Sequence, residues 1–249
     1  MFTVKDLLQA DLPDVRVGIG RDSNTGHVEK SVRALRTDSV KIYTDPKKMI
    51  DDLYSGKIEA AVRGDMPSYE LLRILKERAG VKALERLVIM EPKNGRAFFM
   101  APVGIDEGST VEEKHGIVVR AIELMKKMGA GTKIAVMSGG RIDDKGRNEL
   151  VDKSIDDAEE LVAILQSEGY DAYHAEILIE DALEVADLII APDGIAGNLI
   201  FRTMHFIGDA IAMGAPVLNI DKVFVDTSRA KTDYEDSIIL AMRLAEGKK

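Results

Sequence analysis

Short apolar runs alternate with helix-period segments from one end of this sequence to the other. Val15–Ile19 has the length of a strand, and Val28–Leu35 follows with Val28, Val32 and Leu35 on one helical face. A second helix is predicted after Thr44-Asp45-Pro46: Asp45 can cap it, and Pro46 stands where a missing N–H costs nothing. Ile58–Val62, Lys133–Ser138, Tyr170–Ala175, Leu188–Ala191 and Val217–Ile220 read as further strands. Helices are expected over Tyr69–Arg78, Val111–Met128, from a Ser154 cap to Gly169, over Gly197–Ile207 and over Asp233–Ala245. Strands and helices in that order define an α/β protein with a mostly parallel sheet and helices on both faces. Leu87–Met90 and Ala97–Pro102 break the alternation. The short loop between them, with Pro92, Asn94 and Gly95, favours an antiparallel hairpin. The tail Glu246-Gly247-Lys248-Lys249 is expected to fray.

Charge and composition remove several function classes. Lys and Arg total 34 against 43 Asp and Glu, a net charge of −9. No basic stripe is present to gain from counterion release, so nucleic acid is not an expected partner. The chain has no cysteine, which excludes disulfides, thiolate metal ligands and a cysteine nucleophile. His27, His115, His174 and His205 are scattered without ligand spacing, and no metal is expected. No basic segment leads into an apolar run at the N-terminus, and no apolar stretch approaches the roughly 20 residues of a membrane span. A cytoplasmic protein without membrane contact is the expectation.

In sheets of this kind ligands bind beyond the carboxyl ends of the strands. Four loops qualify, Gly20–Gly26, Arg63–Ser68, Ser138–Arg147 and Pro192–Asn198, with the Asp226–Lys231 turn as a fifth. Gly194, Gly197 and Asn198 lie between a strand and a helix, where backbone N–H groups and the helix dipole attract anions; a plain tight turn reads the same way. Ser228-Arg229 offers a hydroxyl and a guanidinium fork to a phosphate. Thr232 and Glu235 fit a capping box, which would leave Asp236 as the free carboxylate of that first turn, near Ser228-Arg229. A general base and a solvated acid complementing the helix dipole are both compatible with Asp236. Arg21, Arg63, Arg96, Arg141 and Arg202 could line an anionic pocket. Gly18-Ile19-Gly20 does not complete a dinucleotide fingerprint, because the third glycine position holds Ser23.

Taken together, Pro192-Asp193, Gly197-Asn198, Gly208, Gly214-Ala215-Pro216, Asp226-x-Ser228-Arg229 and Glu235-Asp236 resemble the C-terminal motif of the phosphate acetyl/butyryltransferase superfamily. Gly56–Leu75 and Val136–Asp152, with Ser138, are similar to upstream segments, so the resemblance runs from about residue 14 to 245. A shorter, cysteine-free sequence of this pattern looks most like the methanogen family called methyltransferase-related subunit X.

The resemblance implies a two-lobed fold like that of isocitrate and isopropylmalate dehydrogenases, usually a homodimer with the site between lobes. The lobes would be roughly 1–85 with 195–249, and 86–194. It further implies coenzyme A or acyl-coenzyme A as substrate beside a small anionic or phosphorylated one. Asp236 would be the base, Ser228 and Arg229 would hold the phosphate, and Gly197, Asn198, Arg202 and Ser138 would bind the ligand. The alternative is an accessory protein of methanogenesis, or a methyltransferase subunit, using the same pocket for binding. The hairpin Leu87–Pro102 is the expected dimer contact.

Three departures from the superfamily pattern stand out. The hydroxyl-rich substrate loop is replaced by Gly64-Asp65-Met66-Pro67-Ser68-Tyr69, where an acid beside a phosphate would repel it unless paired. Arg202 stands where a lysine is expected, and Asp236 lies one residue farther from Ser228-Arg229 than is usual.

Overall fold

A computed structural model describes residues 3–9, 11–22, 26–93 and 95–247. Ser23, Asn94 and Lys248-Lys249, used in the reading above, lie outside the described residues. The chain forms two compact units. A flanking unit joins Val4–Leu84 to Met213–Lys249, and an inserted unit is built on Glu85–Ala212.

In the flanking unit, α1 (Val4–Gln9), β1 (Val17–Gly20), α2 (His27–Ala34), β2 (Val40–Tyr43), α3 (Pro46–Tyr54), β3 (Ala60–Val62) and α4 (Ser68–Ala79) come first. The inserted unit follows with β4 (Val88–Glu91), β5 (Phe98–Ala101), α5 (Val111–Lys127), β6 (Ile134–Met137), α6 (Glu149–Ser167) and β7 (Ala172–Glu176). It continues through α7 (Ile179–Val185), β8 (Leu188–Ile190), α8 (Gly194–Phe206) and β9 (Ile211–Ala212). The chain then returns to the flanking unit for β10 (Ala215–Pro216), β11 (Val223–Asp226) and α9 (Glu235–Glu246).

The flanking sheet has the order β10-β11-β3-β1-β2 and is parallel except for β10. The carboxyl ends of β11, β3 and β1 therefore lie side by side. Tyr43, Met49, Ile50, Leu53, Leu71, Leu75 and Phe224 belong to one buried cluster, which seats α3 and α4 on the sheet. α9 packs along β1, β3 and β11. Asp45 caps α3 as predicted, its carboxylate accepting the Lys48 N–H at 3.1 Å. The strand expected over Val217–Ile220 is not formed. The two-residue β10 pairs with β11 and Val217 adds a single bridge, its N–H on the Phe224 carbonyl at 2.9 Å; the chain then bends through Asn219, whose side-chain amide is tied to the Ala83 carbonyl at 2.8 Å. Conversely, Val40–Tyr43 is an edge strand absent from the expected set, although Val40-Lys41-Ile42 alternates with period two and Lys41 is its exposed position.

The inserted sheet has the order β7-β6-β8-β5-β4-β9. The predicted hairpin is present, with Val88 opposite Met100 and Met90 opposite Phe98. Its strands are buried, and the outer edge of β4 is paired with β9. Helix α6 begins after Asn148, whose side chain accepts the Leu150 N–H, so its cap lies six residues before the expected Ser154. Ser154 instead lies inside the helix and turns its hydroxyl to the Gly139 N–H at 2.8 Å.

Candidate active site

Three loops are knitted together at the carboxyl edge of the flanking sheet. Asp226 ends β11 and pairs with the buried Arg63 guanidinium just after β3, Nε to Oδ1 at 2.5 Å. The same carboxylate accepts the Thr227 N–H at 2.9 Å, and the Thr227 hydroxyl donates to the Gly64 carbonyl at 2.8 Å. Gly64 has a φ of +64°, and a Cβ placed there would lie 1.9 Å from the Gly20 carbonyl oxygen at the end of β1. The acid of the altered substrate loop is buried, and Asp65 accepts the Asp22 N–H at 2.7 Å.

The segment after Asp226 carries the predicted Ser228, Arg229 and Asp236. The Ser228 carbonyl accepts the Lys231 N–H at 3.1 Å, and its hydroxyl accepts from Ala230 N–H at 3.3 Å. This tight turn leaves the Arg229 side chain exposed. Asp236 is not the free carboxylate that a capping box would have left. The Lys231 ammonium lies 2.5 and 2.7 Å from its two oxygens and 3.1 Å from the Ser237 hydroxyl. Thr232 does not cap α9 either. The Glu235 N–H goes to the Asp233 carboxylate at 2.8 Å, and the Tyr234 N–H goes to the Ser31 hydroxyl of α2 at 2.9 Å. Burial pushes the Glu235 carboxyl up, with Asp233 and Asp236 adding to the effect. Lys231 escaped the sequence reading, although it is the one cation between Ser228-Arg229 and Asp236.

Tyr234 is fully buried beneath this turn, and its hydroxyl is directed at the Ser228 carbonyl at 3.5 Å. Burial, with Asp65 nearby, pushes its phenol up from an ordinary 10.0 to about 12. A group held protonated in the folded state contributes stability that is complete below its unfolded pKa and lost as pH rises through the folded one. Tyr234→Phe is therefore expected to gain stability relative to the native chain between about pH 10 and about pH 12. Denaturant melts on either side of that window check it, and a constant difference would contradict it.

In the inserted unit, α8 starts three residues before the expected Gly197, because Asp193 is its cap and accepts the Ala196 N–H at 2.8 Å. Gly197 thus lies within the first turn, with its N–H on the Asp193 carbonyl at 3.0 Å. A Cβ there would meet the Pro102 carbonyl oxygen at 1.9 Å, so this glycine lets the helix approach the end of β5. Asn198 closes the same contact, its amide donating to the Val103 carbonyl at 2.9 Å. Behind the turn, the buried Lys114 ammonium donates to the Pro192 carbonyl at 2.9 Å, and burial pulls its pKa down. Arg202 is exposed, with its guanidinium over the Phe206 ring at 5.2 Å.

Ser138, just past β6, is buried, and its hydroxyl lies 2.8 Å from both the Gly140 carbonyl and His174 Nε2. Burial lowers the pKa of His174, which favours a neutral ring sharing a proton with that hydroxyl. Ser138, Gly197, Asn198 and Arg202 therefore belong to the inserted unit, and Ser228, Arg229 and Asp236 to the flanking one. Among the described residues no group of three His, Asp or Glu side chains is placed to hold a metal, and no helix is long and apolar enough to cross a membrane.

No family model matches the sequence. The fold is nevertheless that of the phosphotransacetylases. A phosphotransacetylase from Streptococcus pyogenes aligns with a TM-score of 0.69 at 15% identity, over 98% of this chain and 97% of that one. Isocitrate dehydrogenase from Methylococcus capsulatus shares the fold more distantly, with a TM-score of 0.55 at 8% identity over 93% of this chain and 84% of that one. In sequence, the chain is 42% identical over 219 residues to a Methanosarcina acetivorans protein named methyltransferase mtx subunit X, covering 87% of this chain and 78% of the relative. A phosphate acetyltransferase of Corynebacterium glutamicum is 24% identical over 194 residues, 73% of this chain and 57% of that enzyme. The chain belongs to the methyltransferase mtx subunit X family.

Proposed function

We propose that this protein is a phosphotransacetylase-like transferase that moves an acyl group between phosphate and coenzyme A, or acts on a related phosphorylated or thioester substrate, in the cytoplasm. One observation carries the reading: a single turn at the carboxyl edge of the flanking sheet presents an exposed Arg229 beside Ser228 and is tied through Lys231 to a first-turn carboxylate. In the forward direction the thiol sulfur attacks the acyl carbonyl carbon. The C–S bond forms, the bond from that carbon to the phosphate oxygen breaks, phosphate leaves and Asp236 takes the thiol proton. No enzyme nucleophile is required, in keeping with a chain that has no cysteine.

The Lys231 ammonium holds both Asp236 oxygens, so the thiol proton goes either to a lone pair that this cation leaves open or to an oxygen from which it has been drawn away. An anion at Ser228 and Arg229 supplies a competing partner for the ammonium. The same clamp supports a second reading, in which the carboxylate stays paired and the pocket binds a ligand for a methanogenesis protein without turning it over. Both readings require an anion at Arg229. Inorganic phosphate is expected to raise the melting temperature of the native chain, and Arg229→Gln to weaken its binding at least tenfold, read by calorimetry, as loss of a charge-assisted fork predicts. No phosphate binding, or equal binding by both proteins, would remove the basis of the proposal.

A further inference from the structure

Where β6 and β7 end side by side, several costly features meet. Ser138 is fully buried, with its hydroxyl 2.8 Å from both His174 Nε2 and the Gly140 carbonyl. The pairing of the two strands slips at this point: Val136 is opposite His174 and Met137 opposite Glu176, so Ala175 is left over. Glu176 then takes a left-handed backbone, φ +55°, which an L side chain adopts only at a cost. Bulges re-aim side chains, and this one turns the end of β7 onto the loop that follows β6. The Glu176 carbonyl accepts the Ser138 N–H at 2.8 Å, and its carboxylate accepts the Ile142 N–H at 3.3 Å.

These hydrogen bonds assign the histidine tautomer. His174 Nδ1 is buried and has no partner among the described residues. A proton there would leave a buried N–H unsatisfied, the rarer and costlier kind of orphan. The proton of the neutral ring therefore belongs on Nε2, which donates to the Ser138 hydroxyl, and that hydroxyl donates in turn to the Gly140 carbonyl. A second proton on the ring would create the orphan N–H and add a charge. The charged groups near the ring are Glu159 of α6, Glu176 of β7 and Lys145 of the loop. Both carboxylates already hold the loop, Glu176 through the Ile142 N–H and Glu159 through the Lys145 ammonium at 2.8 Å, which also reaches Asp156 at 2.8 Å. A charged ring gains a partner only by drawing one of them away. The remaining ties, Gly139 N–H to Ser154 and Gly146 N–H to Asp152, are exposed ones.

We propose that His174 is a proton-operated latch on the loop 139–147: the neutral ring holds the loop closed through Ser138 and Gly140, and the imidazolium releases it. The loop carries Gly139, Gly140 and Arg141 at the carboxyl edge of β6, the edge where sheets of this kind bind ligands. The latch thus sets whether that edge is ordered to receive one. Burial is the main reason the ring stays neutral, so release sets in below the ordinary histidine value of 6.5.

Because the chain has no cysteine, Ile142→Cys can carry a single nitroxide label at a half-exposed position of the loop. Electron paramagnetic resonance from about pH 7.5 down to about pH 5 is expected to show the label loosening. Its mobile-to-immobile ratio should rise by up to about tenfold per pH unit below 6.5. Circular dichroism of the same samples should stay constant. His174→Gln keeps an N–H donor for Ser138 and cannot take the proton, so its label should stay immobile throughout. His174→Phe has no donor, and its label should be mobile throughout. His115→Gln, which removes a partly exposed histidine paired with Glu168, should keep the native step. A native label indifferent to pH, a step that survives in either His174 variant or vanishes in His115→Gln, or a label as immobile in His174→Phe as in the native chain would overturn the proposal. So would a step that coincides with loss of the circular-dichroism signal, since global unfolding would then explain it.

Discussion

Gly64→Ala is expected to destabilise the flanking unit by at least about 3 kcal/mol. Two costs combine. The backbone at Gly64 is left-handed, with φ +64°, a conformation that costs an L side chain roughly 1–2 kcal/mol. The added methyl would also lie 1.9 Å from the Gly20 carbonyl oxygen and 3.0 Å from its carbon, both backbone atoms that end β1. A flexible side chain could swing aside, but here the end of a central strand has to move. That movement would also pull on the Gly64 carbonyl, which accepts the Thr227 hydroxyl, and through it on the turn bearing Ser228 and Arg229. Urea melts followed by circular dichroism measure the loss, and a change below about 0.5 kcal/mol would show that the loops at β1 and β3 are not held in this close approach.

Asp236→Asn is expected to lower turnover by about 10²–10⁴-fold while phosphate binding is retained, the range assigned to a positioned general base. The amide keeps one oxygen for the Lys231 ammonium and the Ser237 N–H, but its NH2 replaces the oxygen 2.7 Å from the same ammonium, which has to shift toward the remaining oxygen and the Ser237 hydroxyl. What the amide lacks is the ability to take the thiol proton. Steady-state kinetics beside phosphate calorimetry separate the two effects. A variant with native turnover would show that the carboxylate serves only to hold Lys231.

How much of this was legible in the sequence depends on how far apart the interacting residues lie. The Asp45-Pro46 start of α3 and the β4–β5 hairpin are local: a cap three residues from its N–H, and two apolar runs joined by a short loop. The alternation of strands and helices was readable for the same reason. Contacts between distant segments were not. Ser154 looked like a cap because a serine precedes an apolar run, yet its hydroxyl serves Gly139. Tyr234 takes its N–H acceptor from Ser31, 203 residues away, so no local pattern around Thr232 could have shown it. The Arg63–Asp226 pair likewise joins β3 to β11, although Arg63 was on the list of arginines suited to an anionic pocket. Lys231 is the instructive case, because it lies five residues from Asp236 and was passed over. A lone cation between a Ser-Arg dipeptide and a carboxylate is a signal that spacing alone can reveal. Gly197 and Asn198 were legible as special but not for what the fold makes of them, since the Pro102 and Val103 carbonyls they meet come from the other side of the β8–β5 pair.

The name of the family's members speaks of methyl transfer, whereas the fold is shared with phosphotransacetylases. A fold does not fix a reaction; the groups at the site do. Phosphate-dependent consumption of a panel of acyl-coenzyme A thioesters by the native chain, with Asp236→Asn run alongside, asks the question at the site. Release of free thiol that requires phosphate and falls at least ~100-fold in the variant is the expected result. No consumption of any thioester by a chain that still binds phosphate would contradict acyl transfer and leave the pocket as a binding site.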